Sequence, residues 1–265
     1  MLMVGCGFSL ILAVVLVKAA QIQIWQGDDL TRIAERDFKA SRVSMGKRGT
    51  VFDTHYRELA VTLDSQSIGA HPNQMKNKDV VARQLAKALG KNRRAISNQL
   101  ATKRPFVWVK RQATPREVTT VKTLSLPGVV FKPAHSRFYP NQSLAGQAIG
   151  FTGVDGSGLE GIEFSYDSHL RGRTDRFTVL RDARGNGFDA EFSVLPNYTG
   201  QNVILTIDAN IQFISEQALE LTVAEFNADS GMAVVMDPKT GAVLAMSHYP
   251  FIDPNLYKQY NRERW

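Results

Sequence analysis

The chain has 265 residues, a formal net charge of +7 and 43% hydrophobic residues. This composition is typical of a globular protein and argues against a disordered chain, a collagen-like repeat and a polytopic membrane protein. The single cysteine, Cys6, excludes a disulfide-stapled mini-domain and a multi-cysteine metal site. The length is enough for one large domain or two smaller ones.

The first part of the chain is an uncharged apolar run from Met1 to Val17, and apolar residues resume between Lys18 and Trp25. The seventeen residues of the run give roughly 25 Å of helix, close to the roughly 30 Å of a bilayer core. We therefore predict a single membrane anchor in residues 1–25. A cleaved signal peptide is the alternative, but a charged leader and a small-residue cleavage site are both poor here.

The charge pattern points to anionic partners without specifying one. Basic residues follow the apolar run and do not precede it, which taken literally keeps the bulk of the chain cytoplasmic. An uncharged N-terminus is also what a clipped basic tail or a misassigned start codon leaves, so we do not adopt this orientation. The basic excess is small and is interpreted as diffuse, which favours anionic lipid headgroups or a polyanionic envelope polymer. We see no Lys/Arg stripe interleaved with aromatic residues, so nucleic acid is not expected as a partner.

The region after the anchor alternates short helices and strands, which predicts a compact α+β unit. Gly90 is expected to act as the C-cap of the helix predicted at 78–89. The predicted elements, in chain order, are a helix at 28–38, strands at 49–53, 58–63 and 67–71, helices at 78–89 and 93–102, a strand at 105–112 and a helix at 114–124.

The second half begins with a glycine-rich stretch, which carries seven glycines between Gly146 and Gly172 and predicts a turn-rich connection into a helix near Leu159. A basic strand is predicted at 173–185 and a domain boundary near 196–200. The remaining predicted elements are a strand at 202–207, a long helix capped by Asp208 with Ile211, Ile214, Ala218 and Leu221 on one face, and a β-hairpin at 231–249. These pieces cannot close a core, so we expect the C-terminal domain to be unfinished.

Several sequence blocks resemble those of class B penicillin-binding proteins, and their order along the chain strengthens the resemblance. The turn at His55-Tyr56-Arg57 departs from the usual R-x-G of that family. The blocks are Arg48-Gly49-Thr50-Val51-Phe52-Asp53 with Leu59-Ala60, Arg137-Phe138-Tyr139-Pro140, Gly158-Leu159-Glu160-Gly161-Ile162-Glu163, Asp182-Ala183-Arg184-Gly185, Leu205-Thr206-Ile207-Asp208 with Gln212, and Asp237-Pro238-Lys239-Thr240-Gly241. The residues taken from them as family structural motifs are Arg48, Gly49, Asp53, Arg137, Pro140, Gly158, Glu160, Gly161, Glu163, Asp182, Gly185 and Asp208.

The resemblance implies an α+β fold with three parts: a membrane anchor (1–25), an extended pedestal or dimerisation domain (26–197), and the start of a β-lactamase-like transpeptidase domain (198–265). It implies serine D,D-transpeptidation, in which a serine attacks the penultimate D-Ala carbonyl of a peptidoglycan stem peptide and the acyl group passes to an amine. The stretch Ser67–Pro72 is more similar to the septal, cell-division branch than to the elongation branch. The alternatives are an elongation-type homologue and a naturally short, non-catalytic envelope protein.

The chemistry of that family requires Ser-x-x-Lys on a helix, since residues i and i+3 share a helical face. The chain has one Ser-x-x-Lys, Ser44 to Lys47, one Lys-Thr-Gly at 239–241, and no Ser-x-Asn. We interpret both matches as structural, because glycines near Ser44 disfavour a rigid helix and 239–241 falls in a predicted turn. We therefore predict no catalytic residue in this chain, with the family's Ser-x-x-Lys expected beyond Trp265.

Metal and cofactor sites are not expected. The five histidines lack zinc-binding spacing, and Asp155-Gly156-Ser157-Gly158 is better explained as a turn than as a calcium loop. By resemblance, the expected location is the bacterial inner membrane, single-pass, with the bulk of the chain on the periplasmic side. The expected partners are a polytopic peptidoglycan glycosyltransferase and division proteins, with stem peptides and β-lactams bound only by the full-length protein.

Overall fold

A computed structural model of the chain describes residues 46–172 and 199–260, the backbone of strands at 39–45 and 174–180, and isolated positions Leu12, Val15, Lys18 and Gln21. Its elements are β1 (Lys39–Met45), β2 (Val51–Phe52), β3 (Glu58–Ala70), α1 (Lys78–Leu89), α2 (Arg93–Leu100), β4 (Val107–Ala113), α3 (Pro115–Thr123), β5 (Val129–Phe138), α4 (Gly146–Ile149), α5 (Gly161–Ser165), α6 (Asp167–Leu170), β6 (Thr174–Leu180), β7 (Val203–Ile204), α7 (Ala209–Glu225), β8 (Gly231–Met236) and β9 (Val243–Tyr249). Pro72–Gln74 and Pro254–Gln259 form 3₁₀ turns. The predicted mixed α+β class is confirmed.

The chain divides into two compact units, residues 1–45 with 174–197 and residues 46–173 with 198–265. In the first unit β1 pairs antiparallel with β6. Within the described residues, no helix has both the length and the apolar character needed to cross a bilayer. The predicted anchor at 1–25, apart from the isolated positions, and the predicted helix at 28–38 fall outside the described residues.

The main core of the second unit lies between one face of the sheet β4–β3–β5 and the helices α1, α2 and α3. Helix α1 has the predicted bounds, and its apolar residues Val81, Leu85 and Leu89 are buried there. Asn77 caps its first turn, and Gly90 ends it in the left-handed conformation, at φ +60°. The helix and its C-cap are therefore confirmed.

The neighbouring helices differ from expectation only at their ends. Helix α2 ends at Leu100, two residues before the predicted end. Helix α3 begins with a capping box, in which the Thr114 hydroxyl accepts from the Glu117 N–H and the Glu117 carboxylate accepts from the Thr114 N–H. This reciprocal pair satisfies N–H groups that the first helical turn leaves free.

The strands of the sheet correct the prediction in two places. The two strands predicted at 58–63 and 67–71 form one continuous strand, β3. Strand β5 was not predicted, although it pairs with β3 from Val61 to Ala70. Its sequence does not alternate cleanly and contains Pro133, which indicates a break when pairing partners are unknown. Its long pairing with β3 overrides that local signal.

A second core joins the base of the pedestal to the following segment. Strand β7 pairs in parallel with β2, and α7 and the antiparallel hairpin β8–β9 follow. The predicted strand at 202–207 is shortened to Val203–Ile204, while the hairpin is confirmed. The buried residues of this core are Val51, Leu59, Ala60, Tyr139, Ala145, Ile149, Phe151 and Leu170.

Helix α7 is rotated relative to the prediction. Asp208 caps it as predicted, with its carboxylate accepting from the Asn210 N–H. The predicted apolar face is exposed, however, with Ile214 at 65% and Leu221 at 72%. The buried side chains of α7 are Gln212, Glu216 and Val223. The exposed side of the helix is apolar, and polar side chains of its buried side form hydrogen bonds with β9 and with the Ala145 N–H.

Candidate functional site

One cluster of charges gathers around the buried Glu163 and is here called the Glu163 cluster: Glu163, Arg48, Arg137 and Asp167. Glu163 is fully buried. Arg48 Nε donates to one of its carboxylate oxygens, and Arg137 Nε lies 2.7 Å from the other. Arg48 Nη1 lies 2.6 Å from Asp167 Oδ1. Two guanidinium groups thus balance two carboxylates, the condition under which charges are tolerated in a core.

The same guanidinium groups also bind backbone carbonyls, which ties distant segments together. Arg48 Nη2 donates to the carbonyl of Glu163 (2.6 Å), and Arg137 Nη1 donates to that of Gly49 (2.7 Å). Arg137 Nη1 also donates to the hydroxyl of Thr62 on β3. The cluster therefore fixes the start of β2, strands β3 and β5, and helix α5 against one another.

Asp167 is held as a carboxylate by its neighbours. Burial would raise the pKa of Asp167, but the hydrogen bond from the Gly158 N–H (2.8 Å) and the contact with Arg48 outweigh it. The net effect is a pKa below the ordinary value of 3.8. Asp167 is therefore ionised at neutral pH, as charge balance in the cluster requires.

Two of the predicted motif glycines are required by close backbone approach. A Cβ on Gly158 would lie 1.9 Å from the carbonyl oxygen of Glu163. Gly161 has φ +60°, and a Cβ there would also clash with the Ala148 carbonyl. Both glycines let the loop before α5 close around the Glu163 cluster.

A second polar group, here called the Asp53 cluster, lies where α7 begins: Asp53, Arg57, Asp208, His55 and Asn210. Asp53 Oδ1 accepts from the N–H groups of His55 and Arg57, both at 2.8 Å, and its Oδ2 accepts from Arg57 Nε at 2.7 Å. Arg57 then reaches α7, donating to Asp208 Oδ1 (3.0 Å) and to Asn210 Oδ1 (2.9 Å). Arg57, which lies in the turn that departs from the family's pattern, thus joins the pedestal to α7.

The electrostatics of the Asp53 cluster favour its ionised form. Burial would raise the pKa of Asp53, but the hydrogen bonds from Arg57 and His55 outweigh it and lower the pKa below 3.8. The backbone hydrogen bond from Asn210 is the largest cause that lowers the pKa of Asp208. Contact with both carboxylates raises the pKa of Arg57 in turn.

The Asp53 cluster is also where the described residues come nearest to a metal-ligand set. One ligand atom each from Asp53, His55 and Asp208 lie within 4.8 Å of one another. The Arg57 guanidinium already binds both carboxylates and supplies the balancing positive charge. In this arrangement the Arg57 guanidinium joins the two carboxylates as an ion pair.

A third network connects α7 to β9 and to the loop before α4. Gln212 is fully buried; its Nε2 donates to the Met246 carbonyl (2.9 Å) and its Oε1 accepts from the Met246 N–H (2.7 Å). Glu216 Oε1 accepts from Gln212 Nε2 (2.7 Å) and from the Ala145 N–H (2.8 Å). Burial raises the pKa of Glu216 above 4.5, and these two hydrogen bonds only partly oppose it.

The two sequence matches to catalytic motifs lie in a strand and in a hairpin turn. Ser44 lies in strand β1, where the backbone is extended and lacks the helical turn that Ser-x-x-Lys chemistry needs. Lys239 lies in the turn of the β8–β9 hairpin. There Asp237 accepts from the Lys239 N–H (2.9 Å) and from the Thr240 hydroxyl (2.7 Å), and Gly241 has φ +74°.

The comparisons with known proteins agree with this architecture. Residues 44–205 match the family described as Penicillin-binding Protein dimerisation domain. The chain belongs to the class B penicillin-binding proteins. Within this family, the Glu163 cluster and its glycines lie in the dimerisation domain, while α7 and the hairpin follow its C-terminal limit.

Several relatives share this region. The chain is 35% identical over 214 residues to "Probable peptidoglycan D,D-transpeptidase PenA" of Neisseria meningitidis, covering 78% of this chain and 37% of that protein. It is 32% identical over 263 residues to "Peptidoglycan D,D-transpeptidase FtsI" of Escherichia coli, covering 96% of this chain and 44% of that protein. The chain thus spans about two fifths of the length of these relatives.

Solved structures show the same fold at lower identity. A peptidoglycan synthetase from Bifidobacterium adolescentis superposes with a TM-score of 0.54 at 23% identity, covering 81% of this chain and 45% of that one. Penicillin Binding Protein 2X from Streptococcus thermophilus gives the same TM-score and identity, covering 84% of this chain and 37% of that one.

The structure brings together some of the sequence-selected residues and separates others. Three of them, Arg48, Arg137 and Glu163, meet in the Glu163 cluster, and Asp53 and Asp208 meet in the Asp53 cluster. Pro140 and Glu160 are exposed and lie outside both. Asp182 and Gly185 fall outside the described residues.

Sequence reasoning did not select six side chains of these networks as site members: His55, Arg57, Asp167, Asn210, Gln212 and Glu216. Asp167 follows Glu163 by four positions, a spacing that brings both to Arg48. The only sequence signal for Arg57 was that its turn departs from the usual R-x-G of the family. Buried Gln212 and Glu216 lie one helical turn apart, but such a pair on a helix also fits a solvated face.

Proposed function

We propose that the chain is the N-terminal part of a membrane-anchored septal peptidoglycan D,D-transpeptidase. Its own residues anchor the protein, space a transpeptidase domain from the membrane and contact division partners. Acyl transfer to cross-link stem peptides belongs, in this proposal, to residues beyond those described, and the bulk of the chain lies on the periplasmic side of the inner membrane.

The observation that carries the proposal is the 32% identity to "Peptidoglycan D,D-transpeptidase FtsI" over 96% of the chain. This similarity extends through the pedestal into α7 and the hairpin. The stretch Ser67–Pro72, which is more similar to the septal branch, supports a role in division over one in elongation.

The exposed apolar surface of α7 and the hairpin supports a transpeptidase domain larger than these elements. Met232 is 78% exposed, Phe226 73% and Leu221 72%. Exposed apolar side chains that cluster in this way are typical of a surface that further structure covers. The Asp53 cluster joins the pedestal to α7 through Arg57, and the network of Gln212 and Glu216 joins α7 to β9 and to Ala145. Together they would hold that domain at a defined angle to the pedestal.

Acylation by a fluorescent penicillin tests the proposal. The 265-residue chain is expected to remain unlabelled, since Ser44 lies in a strand and Lys239 in a turn. The protein encoded when the reading frame is followed past the codon of Trp265 is expected to be labelled at a serine of a Ser-x-x-Lys motif.

Two results would contradict the proposal. Labelling of the 265-residue chain that is lost in Ser44→Ala would place the nucleophile in β1. A stop codon directly after Trp265 would favour the short, non-catalytic alternative.

A depletion strain separates the division role from the elongation role. Loss of septation is expected for the division role, and loss of cell elongation for the elongation role.

A further inference from the structure

The positive charge of the chain is concentrated in one lobe. Residues 78–138 contain fourteen Lys and Arg residues and two acidic residues, Asp79 and Glu117, although the whole chain has a net charge of only +7. These residues form α1, α2, β4, α3 and β5, the elements around the main core. The basic excess is therefore not diffuse, and the lobe has a strong positive potential.

The outer face of the sheet in this lobe carries a cluster of rings and cations, here called the cation–aromatic face: Phe106, Trp108, Arg111 and Lys132. The rings of Phe106 and Trp108 meet edge to face, with centroids 4.9 Å apart. Lys132 Nζ lies 4.3 Å from the Phe106 centroid and 5.6 Å from that of Trp108. The Arg111 guanidinium lies 5.7 Å from the Trp108 centroid. The rings thus hold both cations over the sheet.

Strand alternation places this cluster opposite the core. Val107 and Val109 pack towards the helices, so Trp108 between them points away from the core. Gly69 leaves room for the neighbouring ring, since a Cβ there would lie 2.4 Å from Phe106. Trp108 is 37% exposed.

The two cations lack an internal counter-charge. Within the described part of the chain, no carboxylate forms an ion pair with Arg111 or Lys132, whereas the adjacent Lys110 pairs with Glu117 at 2.5 Å. Cations that are fixed in place and left without a carboxylate lose little entropy when an anionic partner binds. This charge pattern calls for a negatively charged occupant.

We propose that the cation–aromatic face binds a carboxylate-bearing glycan strand of the cell wall, with Arg111 and Lys132 pairing with carboxylates and Trp108 packing on sugar rings. The choice of a glycan rests on the proposed function, which places the lobe next to that polymer. The geometry also favours a polymer over a flat anionic membrane.

The membrane alternative fails on the distribution of charge. Exposed cations Arg83, Lys87, Arg93 and Arg94 lie on α1 and α2, on the other side of the sheet from Trp108. A flat membrane that contacts the Trp108 side of the sheet cannot also contact the cations on α1 and α2. Salt screens the attraction between those cations and the membrane beyond a Debye length of about 8 Å. A flexible polyanion can follow both sides.

Cosedimentation of the purified 265-residue chain, in detergent micelles, with isolated peptidoglycan sacculi tests this proposal. Sacculi are expected to bind the chain, and binding is expected to fall when salt is raised or when sacculus carboxylates are amidated. The variants Lys132→Ser and Arg111→Ser should each weaken binding about threefold or more, since each removes an exposed ion pair. Trp108→Leu should also weaken it.

The controls separate a specific face from net charge and from misfolding. Lys239→Ser removes one exposed cation far along the chain and should leave binding unchanged. Lys132→Arg keeps the cation and should retain binding. If any substitution at this position disturbed folding, Lys132→Arg would lose binding as well.

Three outcomes would overturn the inference. They are sacculus binding equal in Lys132→Ser and Lys239→Ser, binding to phosphatidylglycerol vesicles with the same dependence on Lys132, and binding to polyglutamate but not to sacculi. The last two would assign the face to a membrane or to an acidic protein. Failure here with successful penicillin acylation of the extended protein would remove this inference and leave the proposed function standing.

Discussion

At the scale of single residues, the fold depends on charges that are buried but matched. Glu163 is fully buried, yet it receives two guanidinium groups, and each of these also binds backbone. Buried pairs of this kind add little net stability compared with apolar packing, but the loss of one partner leaves a charge unpaired in the core. Sensitivity to substitution therefore differs between buried and exposed ion pairs.

Replacing Arg48 by Ala is expected to lower the free energy of unfolding by about 3–5 kcal/mol, because Glu163 and Asp167 would each lose a partner. Urea unfolding followed by circular dichroism measures the change. The matched control is Lys47→Ala, which breaks the exposed pair with Asp64 and should cost less than about 1 kcal/mol. Equal losses in the two variants would contradict the assigned role of the Glu163 cluster.

Glu216 is expected to make stability depend on pH in the opposite sense from the aspartates of the clusters. Because burial raises its folded pKa above 4.5, the folded chain binds this proton more tightly than the unfolded chain. Its contribution to stability is therefore full below pH 4.5 and is lost as the pH rises through the folded pKa. Glu216→Gln keeps an acceptor for Ala145 and removes the titration.

Unfolding free energies of the wild type and of Glu216→Gln, measured across pH, check this expectation. The difference should grow in favour of the Gln variant as the pH rises and then level off. The exposed Glu220, replaced by Gln, serves as the control and should follow the wild type. Parallel curves for all three proteins would show that Glu216 does not titrate differently in the folded state.

At the scale of elements, α7 and the hairpin combine a polar buried side with an apolar exposed side. Val223 is buried at 6% exposure, while Met232 and Leu221 are among the most exposed apolar residues of the described region. Periodicity detects the apolar stripe on α7, but it cannot tell which side faces existing structure. The hydrogen bonds of Gln212 to β9 decide that side.

The double variant Met232→Ser with Leu221→Ser should change the unfolding free energy by less than about 0.5 kcal/mol, because exposed apolar groups contribute little to stability. It should also bind less of a dye specific for apolar surface. In contrast, Val223→Ser is expected to cost about 1–3 kcal/mol, since it places a hydroxyl in the core. A large stability loss in the double variant would show that this surface is covered in the chain.

At the scale of the whole molecule, the segment after residue 199 is fastened to the pedestal by side chains from three places. Arg57 reaches α7, Glu216 reaches the Ala145 N–H, and Asn255 binds both backbone groups of Tyr139, at 3.1 and 3.0 Å. Tyr257 stacks on Phe151 with centroids 4.6 Å apart. Both regions lie in one compact unit, so we expect them to unfold together.

Removing the Asn255 amide tests this coupling. Asn255→Ala should cost about 1–3 kcal/mol, because two buried backbone groups of Tyr139 lose partners. Limited proteolysis should then cut residues 199–260 before residues 46–172. Asn98→Ala, on the exposed side of α2, is the control and should leave the digestion pattern unchanged. Unchanged digestion of Asn255→Ala would contradict the role of Asn255 in coupling the two regions.

The amino-acid sequence by itself determined the α+β class, helices α1 and α3, the Asp208 cap, the hairpin and the family. These features depend on local signals, namely 3.6-residue periodicity, capping side chains and turn residues, and on motif order along the chain. Only the tertiary structure decided that β5 pairs along β3, that α7 buries its polar side, and that the cation of Lys132 lies over the rings of Phe106 and Trp108. Each depends on contacts between residues far apart in the chain, and no local pattern records which partner a face will meet.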